Sequence, residues 1–113
     1  MNTDYNAIEL RVMKKILMEG NTDHAILMDQ YSNQLCVQRE VNKCGWYTYF
    51  TIKANTPTII EKKQMHIGNI IVPVLGMEYG IGFVLHVENG QIDTLEAYTF
   101  DEYLPDYFEI KTE

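Results

Sequence analysis

The segment Val87 to Ile92 constrains the fold of this chain more than any other feature. It places Asn89-Gly90 between two runs in which apolar and polar residues alternate. Asn-Gly is the preferred pair for a two-residue type I′ turn, because both central residues need a positive φ. We therefore predict an antiparallel hairpin whose strands run from Ile81 to Glu88 and from Gln91 to about Phe100.

A regular hairpin would determine which side chains face each other. Its register would place His86 across from Asp93 and Phe83 across from Glu96. Because side chains alternate between the two faces of a strand, Glu96 would share a face with an apolar group. That group comprises Phe83, Leu85, Val87, Ile92 and Tyr98. A carboxylate in such surroundings needs a partner, since burying it unpaired is costly.

Arg39 is the predicted partner of Glu96. It alternates with Val37 and Val41 and therefore also falls on an apolar face. One interpretation is a buried Arg39–Glu96 ion pair that sets strand register. A second is a ligand pocket lined by Arg39, Glu96 and His86, and a third is that Arg39, Glu96 or both reach solvent. His86 could instead form an exposed cross-strand pair with Asp93.

The remaining periodicity predicts the other elements. Before residue 20, apolar residues recur at helical steps, and polar residues such as Glu9 fall mostly on the opposite side. A second helix is predicted over about 24–35, and strands over about 46–53 and 65–75. We predict a single α+β domain with helices at about 4–35, a sheet at about 36–100 and an acidic, aromatic tail at 101–113. Two N-terminal helices should pack on one face of a mostly antiparallel sheet of about five strands.

The strand that begins at Trp46 is expected to have two different faces. One face should join the core and comprises Trp46, Thr48, Phe50 and Ile52. The other carries Tyr47 and Tyr49, which we expect to cover the open side of the sheet. Tyrosine suits an interface because it buries area and keeps a polar tip.

Charge limits the class of partner. The net charge is −7, and eight acidic residues with one lysine lie from Glu88 onward, so this part carries the whole excess. We expect no nucleic-acid binding, because there is no basic stripe to contact phosphates. A basic protein is the partner that fits, although the acids could equally serve solubility.

The acidic segment also contains the candidate binding residues, namely Tyr98, Asp101, Glu102, Tyr103, Asp106 and Tyr107. Its aromatic side chains could bind a partner or pack back on the sheet. Two cysteines and a polar start predict a cytoplasmic protein. The apolar window from Ile67 to Val87 is broken by glycines and Pro73, which predicts two strands and no membrane association.

No catalytic motif is apparent. Gly80-Ile81-Gly82 lacks the third glycine and the following helix of a dinucleotide site. His24, His66 and His86 are far apart and have no Cys-x-x-Cys beside them, so no metal or cofactor is predicted, although a metal site could assemble in space. We expect a binding protein and not an enzyme.

Five blocks of the sequence resemble an uncharacterised family of small bacterial α+β proteins. They lie at 20–24, 37–41, 45–50, 82–90 and 95–100, and the last two, Gly82 to Gly90 and Leu95 to Phe100, are the most specific. The similarity covers nearly the whole chain. Some members are described as antitoxin- or immunity-like, which implies an α+β fold and a protein partner but no catalytic residues.

The sequence therefore favours a non-enzymatic, cytosolic binding protein of the immunity or antitoxin type that neutralises a basic protein. One alternative is a ligand-binding or enzymatic domain with its pocket at Arg39, Glu96 and His86. A further alternative is a domain that forms a homodimer through its open sheet face.

Overall fold

The computed structural model describes residues 3–18, 22–59 and 64–111. It confirms the α+β class, with two N-terminal helices and a five-stranded antiparallel sheet. In chain order the elements are α1 (Tyr5–Ile16), α2 (Thr22–Ser32), β1 (Gln34–Asn42), β2 (Gly45–Ile52), β3 (Met65–Val72), β4 (Ile81–Glu88) and β5 (Gln91–Thr99). Both α2 and β3 end three residues earlier than predicted. Residues 112 and 113 of the predicted tail lie outside the described residues.

The sheet has the strand order β1-β2-β5-β4-β3, and every neighbouring pair is antiparallel. Strands β3, β4 and β5 follow one another, whereas β2 lies beside β5 and is joined to β3 by a long connection. This arrangement is a Greek key with β1 added at one edge. It places β5 at the centre of the sheet between β2 and β4, which carry the largest fully buried strand side chains, Trp46 and Phe83.

Both helices pack on one face of this sheet. Asp4 caps α1 by accepting a hydrogen bond from the backbone N–H of Ala7 at 3.1 Å. The core beneath the helices includes Val12, Met13 and Leu27 from the helices and Trp46, Phe83, Leu85, Ile92 and Leu95 from the strands. The opposite face of the sheet has no helix over it in the described part of the chain.

The predicted hairpin between β4 and β5 is confirmed. Asn89 and Gly90 have φ angles of 52° and 75°, and Glu88 pairs with Gln91 across the turn. These values fit the type I′ turn that Asn-Gly favours.

The predicted register is wrong beyond the second pair of the hairpin. Val87 pairs with Ile92, but His86 pairs with Thr94, so Asp93 is an extra residue in β5. Such a bulge shifts all later residues by one and therefore moves each side chain to the other face. As a result Glu96 pairs with Val84, not with Phe83.

The buried side chain of Gln30 forms hydrogen bonds both to the connection between β2 and β3 and to the β4–β5 hairpin. Gln30 is fully buried, and its amide nitrogen donates to the carbonyl oxygens of Pro57 and Gly90, each at 2.9 Å. Its amide oxygen accepts from the N–H of Ile92 at 2.8 Å. Gln30 thus supplies hydrogen bonds to backbone groups that the strands leave unpaired.

Neither described helix is long and apolar enough to cross a membrane.

Candidate functional site

The face of the sheet opposite the helices is the candidate site, and we call it the open face. Alternation along the strands and the observed register place two rows of side chains on it. One row runs through Tyr49, Thr94, His86 and His66, and the next through Glu40, Tyr47, Glu96 and Val84. Tyr98 follows Glu96 at the end of β5.

Two tyrosines on β2 form the most exposed aromatic part of the open face. The rings of Tyr47 and Tyr49 stack with centroids 6.3 Å apart, and the residues are 38% and 39% exposed. The prediction that Trp46 and Thr48 join the core while these tyrosines cover the open side is confirmed. The hydroxyl of Tyr49 donates to Glu40 Oε2 at 2.9 Å, which raises the pKa of Tyr49 because the carboxylate favours the neutral phenol.

A third tyrosine lies flat across a glycine. A Cβ atom at Gly82 would lie 2.4 Å from Cζ of Tyr98, so only glycine leaves room for this ring. The Tyr98 hydroxyl donates to Asn69 Oδ1 at 2.9 Å, and its ring meets Phe100 edge to face at 5.3 Å. Asn69 has a φ of 72° at a bulge in β3, a conformation that asparagine tolerates well. Tyr98 is therefore held by contacts with Asn69 on β3, Gly82 on β4 and Phe100 just after β5.

A chain of three polar side chains crosses β5, β4 and β3. Glu96 Oε1 lies 2.9 Å from His86 Nε2, and His86 Nδ1 lies 2.7 Å from His66 Nδ1. The His86 and Glu96 side chains are 27% and 30% exposed, and His66 is exposed. The predicted His86–Asp93 pair is wrong, because the bulge at Asp93 places Thr94 opposite His86.

The predicted Arg39–Glu96 ion pair is also wrong. Arg39 pairs with Thr48 on β2, whereas Glu96 pairs with Tyr47, so the two side chains lie on opposite faces of the sheet. The predicted pocket of Arg39, Glu96 and His86 is excluded for the same reason. His86 and Glu96 do meet, but on the open face.

Arg39 is instead paired with Glu9 of α1. Its Nη2 donates to Glu9 Oε1 at 2.6 Å and its Nε to Oε2 at 3.1 Å. Trp46 Nε1 donates to Oε2 at 3.0 Å, and the Thr48 hydroxyl donates to the same oxygen. Hydrogen bonding to Glu9 raises the pKa of Arg39. Glu9 is 1% exposed, so the expectation that it faces away from the core is wrong.

Charge on the open face is of one sign. Within the five strands the only lysine or arginine is Arg39, and it points to the helices. Glu40, Glu88 and Glu96 lie on the open face. The described strands therefore present carboxylates, tyrosines and histidines there and no lysine or arginine.

The acidic tail packs back on the fold and does not form one surface with Tyr98. Phe108 is buried against Trp46 and Tyr5, and Ile110 forms a bridge with Val74. The contacts of the Phe108 side chain place the tail beside the helices, on the covered side of the sheet.

The other candidate binding residues are divided between two places. Asp101, Glu102 and Tyr103 line a shallow depression of about 380 Å³ with Cys44 and Thr99, at the end of β5. Asp106 lines a separate depression beside Tyr5 and Lys43, and Tyr107 another beside α1. The Glu102 carboxylate already accepts the N–H groups of Glu78 and Tyr79 at 2.9 and 2.8 Å. Asp101 and Tyr103 remain exposed, with Tyr103 under a cation–π contact from Lys43 at 5.6 Å.

Sequence reasoning missed Glu9 and His66. Glu9 follows Tyr5 and precedes Met13 at four-residue steps, so helical periodicity places it among buried residues. The partner of His66 depends on the register of β3 with β4, for which the sequence carries no turn signal comparable to Asn89-Gly90.

Comparison with protein-family models, with curated proteins and with solved structures found no match to this chain.

Proposed function

We propose that this protein binds a basic protein through the open face of its sheet. The observation that carries the proposal is the combination of exposed tyrosines with carboxylates on a face whose strands contain no outward lysine or arginine. Depletion of lysine and enrichment of tyrosine are typical of the centre of a protein interface. The proposal keeps the partner class expected from the sequence and moves its main contact surface from the tail to the sheet.

The tyrosines suit the role of anchors. Tyr47 and Tyr49 stack on each other, and Tyr98 is held between Asn69 and Phe100, so little side-chain freedom remains to be lost on binding. Rigid aromatic side chains of this kind contribute most of the affinity at many interfaces.

The carboxylates would steer and orient the partner. Glu40 and Glu96 flank Tyr47 on both sides, and Asp101 extends the negative charge beyond the end of β5. Charges around an interface mainly raise the association rate and exclude wrong partners.

Charge also favours a basic partner over a second copy of this chain. A symmetric dimer through the open face would bring Glu40, Glu88 and Glu96 of both copies together. No arginine or lysine of the described strands points outward to neutralise them. The homodimer is therefore the less favoured occupant.

A protein that masks a basic partner in this way would act as immunity and antitoxin proteins do. This finer assignment rests on the sequence resemblance together with the acidic, tyrosine-bearing surface.

The experiment is affinity capture from the native host with two matched double variants. Tyr47→Ala with Tyr49→Ala removes the stacked pair on the open face. Tyr79→Ala with Tyr103→Ala removes two tyrosines that are 52% and 73% exposed elsewhere. The first double variant should lose the partner, whereas the second should retain it.

Association kinetics with the captured protein complete the test. The partner should be basic, and its association rate should fall steeply with rising salt while dissociation changes little. Loss of the partner only in the Tyr79 and Tyr103 variant would overturn the assignment to the open face. A neutral or acidic partner, or an association rate that salt does not change, would overturn the charge argument.

A further inference from the structure

We propose that His66 and His86 form a binding site for a divalent transition-metal ion, with Glu96 as the residue that orients His86. The proposal concerns a different ligand from the basic protein and does not depend on that function. It rests on the hydrogen-bonded chain from Glu96 through His86 to His66.

The distance between the two histidines is the first argument. Their Nδ1 atoms are 2.7 Å apart, with ring centroids 4.8 Å apart and ring planes at 84°. Two nitrogen lone pairs repel at such a distance, so one Nδ1 must carry a proton that the other accepts. Both Nδ1 atoms therefore point at one small region of space, which a shared proton occupies.

Glu96 determines which nitrogen accepts. Its carboxylate lies 2.9 Å from His86 Nε2, which must donate its proton to it. Neutral His86 then has an unprotonated Nδ1 directed at His66. A carboxylate that accepts from the outer nitrogen of an imidazole is the usual support for a metal-ligating histidine.

A metal ion can replace the shared proton with a small movement. Metal–nitrogen bonds of about 2.0–2.1 Å in a tetrahedral site place two neighbouring imidazole nitrogens about 3.3 Å apart. The rings must separate by about half an ångström from the observed 2.7 Å and turn so that both lone pairs point at the ion. The Nδ1 proton of His66 moves to its Nε2 through water, so both histidines stay neutral.

The ligand type selects the metal. Imidazole nitrogen suits Zn²⁺, Ni²⁺ and Cu²⁺, whereas Mg²⁺ and Ca²⁺ require oxygen ligands. Among residues 3–18, 22–59 and 64–111 no group of three or more histidine, cysteine or acidic side chains could hold an ion together. This chain therefore supplies two ligands, and water completes the coordination because His66 lies at the surface.

The test is calorimetric titration of Ni²⁺ and of Zn²⁺ into the full chain at neutral pH. A Cys36→Ser, Cys44→Ser background removes both thiols of the chain, which would bind the same ions. We expect one ion per chain. His66→Gln and His86→Gln should each weaken binding at least about tenfold, and Mg²⁺ should not compete.

Two controls separate this site from general attraction of cations. His24→Gln removes a histidine of α2, and Glu88→Gln removes a carboxylate from β4 on the open face. Both should keep nearly the parent affinity, whereas Glu96→Gln should weaken binding about 10- to 100-fold. Circular dichroism checks that each variant is folded.

Three results would overturn the proposal. They are the absence of saturable binding at millimolar ion, full binding by the His66→Gln, His86→Gln double variant, and equal losses in His24→Gln. Equal weakening by Glu88→Gln and Glu96→Gln would show that Glu96 acts only through its charge, and the orienting role would be wrong.

Discussion

The two faces of the sheet use ionisable side chains in opposite ways. On the covered face, Glu9 is 1% exposed and accepts hydrogen bonds from Arg39, Trp46 and Thr48. On the open face, Glu96 is bonded to His86, and both side chains keep more than a quarter of their surface exposed. The first carboxylate is fully engaged within the protein, whereas the second can still meet another molecule.

This contrast distinguishes charged groups that stabilise the fold from charged groups that another molecule can contact. A buried ion pair must be matched completely, because a partner lost in the interior leaves an unsolvated charge. An exposed pair is solvated whether or not it forms and contributes little to stability. Acidity alone therefore does not identify a site. The face of the sheet on which an acidic side chain lies tells whether it is available to another molecule.

Removing the Glu9 carboxylate should cause the largest loss in the free energy of unfolding. Glu9→Ala leaves the buried donors of Trp46 and Thr48 without their acceptor. It also leaves the guanidinium of Arg39 without its carboxylate, with Asn6 Oδ1 still accepting from Nη2 at 2.6 Å. The free energy of unfolding should fall by about 3 kcal/mol, at the lower end for buried pairs because the Arg39 side chain is 21% exposed. Urea denaturation measures this. Glu96→Ala is the matched change on the open face and should cost less than about 1 kcal/mol. Equal losses would remove the distinction between the faces.

Replacing Gln30 should cause the second-largest loss in the free energy of unfolding. Gln30→Leu keeps the volume but leaves the carbonyl of Pro57 and the N–H of Ile92 without the amide. It also removes one of two hydrogen bonds to the carbonyl of Gly90, which still accepts from the N–H of Ile59. We expect a loss of about 2–3 kcal/mol in urea denaturation, because unpaired buried polar groups are costly. The control is Gln38→Leu on the exposed side of β1, which should change stability by less than about 0.5 kcal/mol. If Gln30→Leu left the free energy of unfolding unchanged, water would have replaced the amide as the hydrogen-bond partner.

A substitution at Gly82 tests whether the ring of Tyr98 is held in place on the open face. Gly82→Ala places a methyl group 2.4 Å from the ring of Tyr98, which should cost about 1–3 kcal/mol if that ring is held in place. Adding Tyr98→Ala should restore part of the loss, so the two changes should not be additive in a double-mutant cycle. Strict additivity would show that Tyr98 moves aside freely.

The smallest effect concerns the tyrosine hydroxyls. The hydrogen bond from Tyr49 to Glu40 raises the pKa of Tyr49 above 10.0, whereas burial raises that of Tyr31. A raised pKa favours the folded state below pH 10, and this contribution is lost as pH rises through the folded pKa. Glu40→Gln should lower the pKa of Tyr49 and leave that of Tyr31 unchanged. Phenolate absorbance, with Tyr49→Phe and Tyr31→Phe for assignment, measures both, and a shift in Tyr31 would contradict the separate causes.

Much of the fold follows from local sequence patterns. Asn89-Gly90 predicts the hairpin because only residues that tolerate positive φ suit its turn. Alternation along β2 predicts correctly that Trp46 is buried and that Tyr47 is not. Both patterns are local, so neither depends on how distant segments meet.

The candidate site was less predictable because one residue changes its geometry. The bulge at Asp93 moves Glu96 to the open face, and no residue type in that stretch requires a bulge. Without the bulge, Glu96 would point toward the helices and its pairing with Arg39 would be plausible. The contact of Glu9 with Arg39 also joins segments that are distant in sequence, which periodicity alone cannot pair.

The Greek-key strand order has a consequence for how fast this chain can fold. The hairpins β1–β2 and β4–β5 join residues close in sequence and can close within microseconds. Pairing of β2 with β5 must bring together two strands that β3 and β4 separate in sequence, and this loss of chain entropy precedes the gain from burying Trp46. Chains dominated by such distant pairings fold in milliseconds to seconds. We therefore expect the docking of the two hairpins to limit the folding rate, with Gln30 adding its hydrogen bonds only after that step.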